Sequence, residues 1–375
     1  MDTRHIIMRS TLCLLFLLGS SLLASPVAAQ VFDLGPSDST LFDSIINAPA
    51  DLNIGVEASV GGDGLTTQLN VSDDGSVGNS FEANSGSEIN ISGGLVGSLF
   101  SANSGSEVNV SGGFVDGQFV AESGSVVNIS GGSVSSFFDA NSGSEINISG
   151  GLVGNFFDAN SGSEVNISGG TVAGFFEANS GSVVNISGGI VNDFFDANFG
   201  SVINISGGNV GGNFDAFSGS EVNISGGSFG DSFGSFFNAI TGSEVNLFGN
   251  NFVLDGVPLD GGLTVGEALT IDSRGVTLTG RFADGSSFCF DLNSASDAPE
   301  DFFSSDATLT ATFVSPVPTV VFGDVNLDGV VDFFDIPAFI AVVQSGEFQA
   351  EADCDENGVV DFSDIGPFIQ ILLAS

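Results

Sequence analysis

The chain has 375 residues and carries 46 acidic against four basic side chains, a formal charge of −42, with 37 phenylalanines and neither tryptophan nor tyrosine. A field of that sign repels nucleic acid and anionic lipid and attracts divalent cations, so polyanion-binding functions are excluded. It suits salty, calcium-containing surroundings, where screening relieves self-repulsion.

Residues 1–29 read as a secretory signal peptide: Arg4 and Arg9, the apolar run Leu12 to Leu23, then Val27-Ala28-Ala29 as a small-residue cleavage site. The run is too short for a membrane span, and no later stretch reaches eighteen apolar residues. The expected mature chain is therefore secreted, extracellular or at the cell surface, with no membrane span. Its only cations are Arg274 and Arg281, and two arginines against 45 acids leave a charge of −43. Cys289 and Cys354 are its only thiols, expected to be free or buried rather than bridged.

Residues 30–69 contain Pro36 and Pro49 and a looser pattern in which Leu52-Asn53-Ile54 and Leu69-Asn70-Val71 resemble incomplete coils. They are expected to form an N-terminal cap, because a solenoid end exposes strand edges that must be covered.

Residues 70–246 are repeats. The unit Gly162-Ser163-Glu164-Val165-Asn166-Ile167-Ser168-Gly169-Gly170 returns with its Asn at 70, 90, 109, 128, 147, 166, 185, 204, 223 and 246, in steps of twenty, seven nineteens and twenty-three. Such a period means stacked supersecondary units. The columns show which side chains point inward. Phe81, Phe100, Phe119, Phe138, Phe157, Phe176, Phe195, Phe214 and Phe237 form one column. The column before it accepts Gln118 and Asn213 beside Phe137, Phe156, Phe175 and Phe194, so it must reach water. Ala follows two residues after the core Phe, then a Gly-Ser corner, then alternating β-branched residues such as Val165 and Ile167, and finally Val172 and its equivalents. Period-two alternation between Gly-rich corners reads as strand. The fold class expected is all-β: a parallel β-solenoid of about nine coils, three short strands to a coil, at roughly 4.8 Å per coil. Strand-like runs at Leu263 to Ile271, Val276 to Phe282, Ser287 to Leu292 and Ala307 to Val314 make residues 247–315 a C-terminal β cap, and Pro316 and Pro318 mark a linker over 316–322.

Residues 323–375 carry a duplicated loop. Asp324, Asn326, Asp328, Asp332 and Asp335, with the Val330 carbonyl, stand at positions 1, 3, 5, 9, 12 and 7 of the first; Asp353, Asp355, Asn357, Asp361 and Asp364, with the Val359 carbonyl, stand at the same positions of the second. Oxygen ligands at that spacing, with Gly at position 6 for the turn, suit six-to-eight-coordinate calcium, so two Ca²⁺ ions are expected. Each loop precedes an apolar helix-like run, and Ile336, Phe339, Ile340, Ile365, Phe368 and Ile369 are expected to form a small shared core.

At these residues the chain resembles a type I dockerin, the twin calcium-loop module that binds a cohesin domain in cellulosomal enzymes. The resemblance implies a small α-helical domain with one helix after each loop. It places a partner surface at loop positions 10 and 11: Phe333, Phe334, Phe362 and Ser363. These depart from the usual small hydroxyl pairs, so the implied partner is a cohesin-like or other cell-surface protein. The whole layout is similar to secreted β-solenoid repeat proteins of planctomycete bacteria.

Catalysis finds little to work with. The repeats hold no Lys, Arg or His, and only carboxylate-pair chemistry of the glycosidase kind is open to them. The acids instead form ladders, Glu88, Glu107, Glu145, Glu164, Glu221 and Glu244 in one, broken by Val126, Val183 and Val202, and Asp139, Asp158, Asp196 and Asp215 in another, which read as solvated faces or weak cation binders. The outward Asn column reads as side-chain hydrogen bonding along the rod. The outward Phe row is the stronger binding candidate, since aromatic rows stack on sugars or self-associate. The sequence thus points to a secreted, non-catalytic scaffold or adhesion rod with a calcium-dependent attachment module. The alternative is a component of extracellular polysaccharide degradation, carbohydrate-binding or a glycoside hydrolase.

Overall fold

The computed structural model describes residues 40–41, 45–48, 53–54, 59–60, 67–72, 75–229, 236–259, 261, 263–294, 301–315, 322–327, 330–345, 348–355 and 357–374, with side chains from Gln68 onward. The expected signal peptide 1–29, all but Phe322 of the expected linker, and the loop residues Asp328 and Gly329 lie outside the described residues. The chain divides into two compact units, Met1–Ser315 and Pro316–Ser375.

The first unit is a parallel β-solenoid. A representative coil has a short strand, Phe157–Ala159, and a long one, Glu164–Val172. Each residue pairs with its equivalent in the next coil: Phe157 with Phe176 and Ala159 with Ala178 in the short strands, Val165 with Val184 and Asn166 with Asn185 in the long ones. The short strands together form a 12-stranded sheet. The expected three strands per coil become two, because Ser168-Gly169-Gly170 bends the long strand through a bulge instead of ending it. The register shifts there, between Ile148 and Leu152 of the preceding coil. In the next coil the long strand splits, into Val183–Ile186 and Ile190–Val191, as it does at the first repeat, into Thr67–Val71 and Ser76–Val77. Both glycines are required. A Cβ on Gly169 would stand 2.3 Å from the Ser149 carbonyl oxygen, and Gly170 holds φ at +74°.

Each coil buries the five apolar side chains its columns indicate, here Phe157, Ala159, Val165, Ile167 and Val172. The core Phe rings stack along the axis at 4.6–5.0 Å with planes 5–10° apart from Phe100 to Phe237, which is the strand spacing carried into the core. A further inward column is polar. Ser163 and its equivalents from Ser87 to Ser243 are at most 3 % exposed. Each hydroxyl donates to the carbonyl three residues back, as Ser163 Oγ does to Asn160 at 2.7 Å, so the buried group is satisfied within its own turn.

Parallel pairing also continues outside the repeats. At the N-terminal end Ile45–Ala48 pairs in parallel with residues 68–71, and Thr40–Leu41 with Ser59–Val60, so part of the segment expected as a cap has coil backbone. At the other end Phe302–Phe303 pairs in parallel with Asn238 and Ala239, while Thr308–Phe313 lies parallel on residues 244–249. The expected strand-like run Ala307 to Val314 is thus one more rung of the solenoid. It keeps the inward Leu309 and Ala311 but lacks the N-I-S-G-G signature that marks the others. The chain between makes antiparallel pairs: Thr277–Phe282 with the end of Glu244–Leu254 and with Ser287–Asp291, and Ala268–Thr270 against the last rung. Arg274 ties this insertion down. Its guanidinium donates to the carbonyls of Ile271, Phe303, Ser304 and Ala307 at 2.9–3.1 and 2.8 Å.

The second unit holds two helices, α1 (Asp335–Ser345) and α2 (Ile365–Ala374), and a short 3₁₀ turn at Ala350–Ala352. Pro337 and Pro367 both fall in a first turn, where the missing N–H has no intrahelical partner to lose. Phe339 and Phe368 stack at 4.0 Å in a core with Val325, Ala352, Cys354 and Val360, and Ile336 packs against it. Ile340, Ile365 and Ile369, expected inside, are exposed. Each short helix buries one narrow face, and loop residues fill the space that the sequence pattern assigned to these isoleucines. Cys354 is buried and Cys289 exposed, both unbridged. Among the described residues no helix is long and apolar enough to cross a membrane.

Candidate functional site

The duplicated loop folds twice into one hydrogen-bonding pattern. The twelfth residue, Asp335 or Asp364, opens the following helix and is fully buried. Asp335 accepts the amides of Asn326 and Asp332 at 3.0 and 2.8 Å; Asp364 accepts those of Asp355 and Asp361 at 3.1 and 2.9 Å. One carboxylate therefore closes each loop from the third residue to the ninth. The ninth residue repeats the trick locally: Asp332 accepts the Phe334 amide and Asp361 the Ser363 amide, each at 2.7 Å.

In the second loop Asp353 accepts the amides of Asn357 and Gly358 at 3.1 and 2.9 Å. Oxygens of Asp353, Asp355 and Asp364 lie within 4.8 Å of one another. Asp324 and Asp353 are as deeply placed as their partners at position 12, at 5 and 6 % exposure. Residues 316–375 contain no Lys, Arg or His. The buried carboxylates of Asp335, Asp353 and Asp364 thus have no side-chain cation of their own unit to compensate them, and buried charge is costly unless paired or bound to a metal. Each carboxylate that accepts two amides still has lone pairs for an ion. The set is all oxygen, which suits a hard divalent cation. Asp328 lies outside the described residues. Val330 and Val359 are exposed, as position 7 requires if only the backbone carbonyl serves. Phe333, Phe334 and Phe362 are 70–79 % exposed and Ser363 is exposed too, so the four positions implied as a partner surface do face solvent.

On the solenoid the outward columns are ladders. Asn166 Nδ2 donates to Asn147 Oδ1 at 3.0 Å, a bond repeated from Asn90 to Asn246. A second amide ladder follows the Ala column, as in Asn160 to Asn141 and Asn179 to Asn160. The Glu residues beside the first ladder accept its spare amide protons, Glu145 from Asn147 and Glu221 from Asn223. Glu88, Glu107, Glu145, Glu221 and Glu244 are structural partners of this kind, and Val126, Val183 and Val202 take their place in other coils.

The Asp row behaves differently. Asp139, Asp158, Glu177, Asp196 and Asp215 stand in register on successive short strands, partly buried except for Glu177. Burial, with Glu177 and Asp139 adjacent, pushes the Asp158 carboxyl up to about 6. Burial, with Asp215 and Glu177, does the same to Asp196. Read as a solvated face from sequence, the row is half-desolvated because one aspartate stacks directly on the next. A carboxyl whose folded pKa exceeds its unfolded 3.8 binds its proton more tightly in the native state. Stability from this source is full below pH about 4 and is lost as pH rises through about 6. Asp158→Asn should therefore raise stability at pH 8 by about 1 kcal/mol, after discounting for solvent screening, and change nothing at pH 4. Urea melts at the two pH values check this. An amide fits the row, since Asn238 at its end already donates to Asp215.

The outward aromatic row carries a feature that its residue types do not announce. Phe137, Phe156, Phe175 and Phe194 all sit at positive φ, 60–67°, as do Leu99 and Gln118 in the same column. For a bulky residue this is strained, and the corner imposes it. Their rings are 42–53 % exposed and stack on one another at 4.8–5.0 Å with planes 8–15° apart. Stacked this way, the rings cover each other's faces and present their edges outward. A sugar needs a ring face, so the row does not offer the platform that aromatic spacing alone suggests.

No family model matches the chain, and no curated protein does. Among solved structures it is similar to the crystal structure of a TibC-catalysed hyper-glycosylated TibA fragment. The two are 20 % identical over 57 % of this chain and 84 % of that one, with a TM-score of 0.37.

Proposed function

We propose that the protein is a secreted, non-catalytic β-solenoid rod whose C-terminal unit is a dockerin-like module binding two calcium ions and attaching the rod to a cohesin-like or other cell-surface partner. The observation that carries the reading is the pair of loops in which a buried twelfth aspartate closes the same ring of amides, in a unit without a single basic side chain. In the second loop Asp353, Asp355 and Asp364 converge as ligands would. Calcium supplies the positive charge these carboxylates lack, and couples metal binding to folding. Phe333, Phe334, Phe362 and Ser363 are the attachment surface of this reading, three exposed rings and one exposed hydroxyl at loop positions 10 and 11.

For the rod, uniformity is the argument. Its carboxylates lie in rows in register from coil to coil, and five of the Glu row are engaged with amides; a glycosidase needs one acid and one base or nucleophile set apart from the rest. Purified mature protein is expected to release neither reducing nor unsaturated ends from a panel of polysaccharides. Activity abolished by changing one carboxylate would replace the scaffold reading with the degradative one. Capture from the native secretome on the C-terminal unit, with and without chelator, tests attachment. A partner held equally well in chelator would remove the calcium dependence.

A further inference from the structure

The exposed aromatic row forms a ridge along one side of the rod, and what can pack on it follows from its geometry. Its rungs repeat at 4.8–5.0 Å over Phe137, Phe156, Phe175 and Phe194. The other exposed apolar column is interrupted: Leu95, Phe114, Leu152 and Ile190 alternate with Ser133, Thr171 and Asn209. The ridge is continuous and pays for that continuity with four phenylalanines held at left-handed backbone angles. A surface that matches ring edges at a strand repeat must have the same repeat, and another copy of this rod has it.

Charge selects the arrangement. Along the chain the order is Ser136-Phe137-Phe138-Asp139, and likewise Asn155 to Asp158 and Gly174 to Glu177. The acid row therefore borders the ridge on one side, and the corner residues Ser136, Asn155, Gly174 and Asp193, of which only the last is charged, border it on the other. When two ridges meet with the rods antiparallel about a two-fold across them, acid row faces acid row. When the rods are parallel about a two-fold along them, each acid row faces the partner's Ser136, Asn155, Gly174 and Asp193. The second confines like-charge contact, which is costly across an interface, to the Asp193 rung instead of all four.

We infer that the Phe137, Phe156, Phe175 and Phe194 ridge is a homotypic interface through which two copies of this chain pair side by side, parallel and in register. The four rings, 42–53 % exposed, leave roughly 350 Å² of apolar surface at about 200 Å² per phenylalanine. The ridges of a pair together bury about 700 Å², short of the roughly 1,000 Å² of a stable contact, so the pairing is weak and transient. The overall negative charge opposes pairing, so salt promotes it.

Sedimentation velocity on the full calcium-loaded chain at about 0.5 M salt, where screening shortens to a few ångströms, is expected to give a concentration-dependent monomer–dimer equilibrium that weakens at low salt. Phe156→Gln with Phe175→Gln copies Gln118, which already occupies this column at φ +58°, so the coil keeps its backbone and circular dichroism is unchanged. That variant should lose at least tenfold in association constant, while Leu95→Ser with Leu152→Ser should pair like the wild type. Monomer at every concentration, equal pairing by the ridge variant, or equal loss in the Leu control would each overturn the interface. Retention of wild type on an insoluble polysaccharide, lost in the ridge variant and without dimer, would assign the ridge to glycan instead. For the parallel arrangement, Phe137→Cys and Phe194→Cys, each in a Cys289→Ser background, should each give disulfide-linked homodimers. Crosslinks only between the two variants when mixed would reverse it.

Discussion

Phe157→Asp is expected to abolish cooperative folding of the solenoid, whereas Phe156→Asp one residue away leaves it folded. Phe157 is fully buried between Phe138 and Phe176, with ring centroids 4.8 Å away on both sides. Removing a buried Phe side chain costs about 3–5 kcal/mol. Placing a carboxylate between two rings adds several more unless it takes a proton. Coils contact chiefly their neighbours, so the defect cuts the stack near its middle and uncouples the halves. Phe156 is 42 % exposed, and its φ of +61° is one that Asp adopts more readily than Phe. Relief at the backbone offsets part of the lost stacking with Phe137 and Phe175, and the net change should stay within about 2 kcal/mol. Thermal unfolding followed by far-ultraviolet circular dichroism separates the two. Equal destabilisation would refute the inward and outward assignment of the two columns.

Chelation is expected to unfold the C-terminal unit while leaving the solenoid intact. The small core around Phe339 and Phe368 has six buried residues, too few to hold some sixty residues without help. The buried carboxylates of Asp335, Asp353 and Asp364, in a unit with no basic side chain, oppose folding further. Isolated residues 316–375 should be largely unfolded in chelator and gain helix over 335–345 and 365–374 on adding calcium, with calorimetry giving two ions per chain. Asp364→Ala should lose the second ion, because it removes both a ligand and the clamp on the Asp355 and Asp361 amides. Asp328→Ala should impair the first. Helicity unchanged in chelator, with no heat on calcium addition, would remove the dockerin-like reading altogether.

Repetition made the solenoid legible. A column that keeps Phe through nine copies while its neighbour accepts Gln and Asn reports burial directly, and Phe157 and Phe156 are placed accordingly. Ladder hydrogen bonding along Asn166 was legible for the same reason, since equivalent residues must stack when the period is constant. The inward Ser column was hidden because serine usually signals a surface turn; only its bond to the carbonyl three residues back allows it inside. The rung at 302–313 was hidden because it pairs by backbone and shares almost no side chains with the repeat.

Composition and spacing by themselves determined the coil, its inward columns, the absence of basic catalytic groups in the repeats and the twelve-residue loop pattern, because each of these is a statement about residue type at fixed separation. Tertiary structure alone decided the rest. The long strand runs through Gly169-Gly170 as a bulge because these residues carry no Cβ to meet the Ser149 carbonyl of the preceding coil. The Asp158 and Asp196 carboxyls rise to about 6 because stacking halves their access to water and brings like charge close. The outward phenylalanines turn their edges to solvent because, at a 4.8–5.0 Å repeat, both faces of Phe156 and Phe175 and one face each of Phe137 and Phe194 are occupied by neighbouring rings.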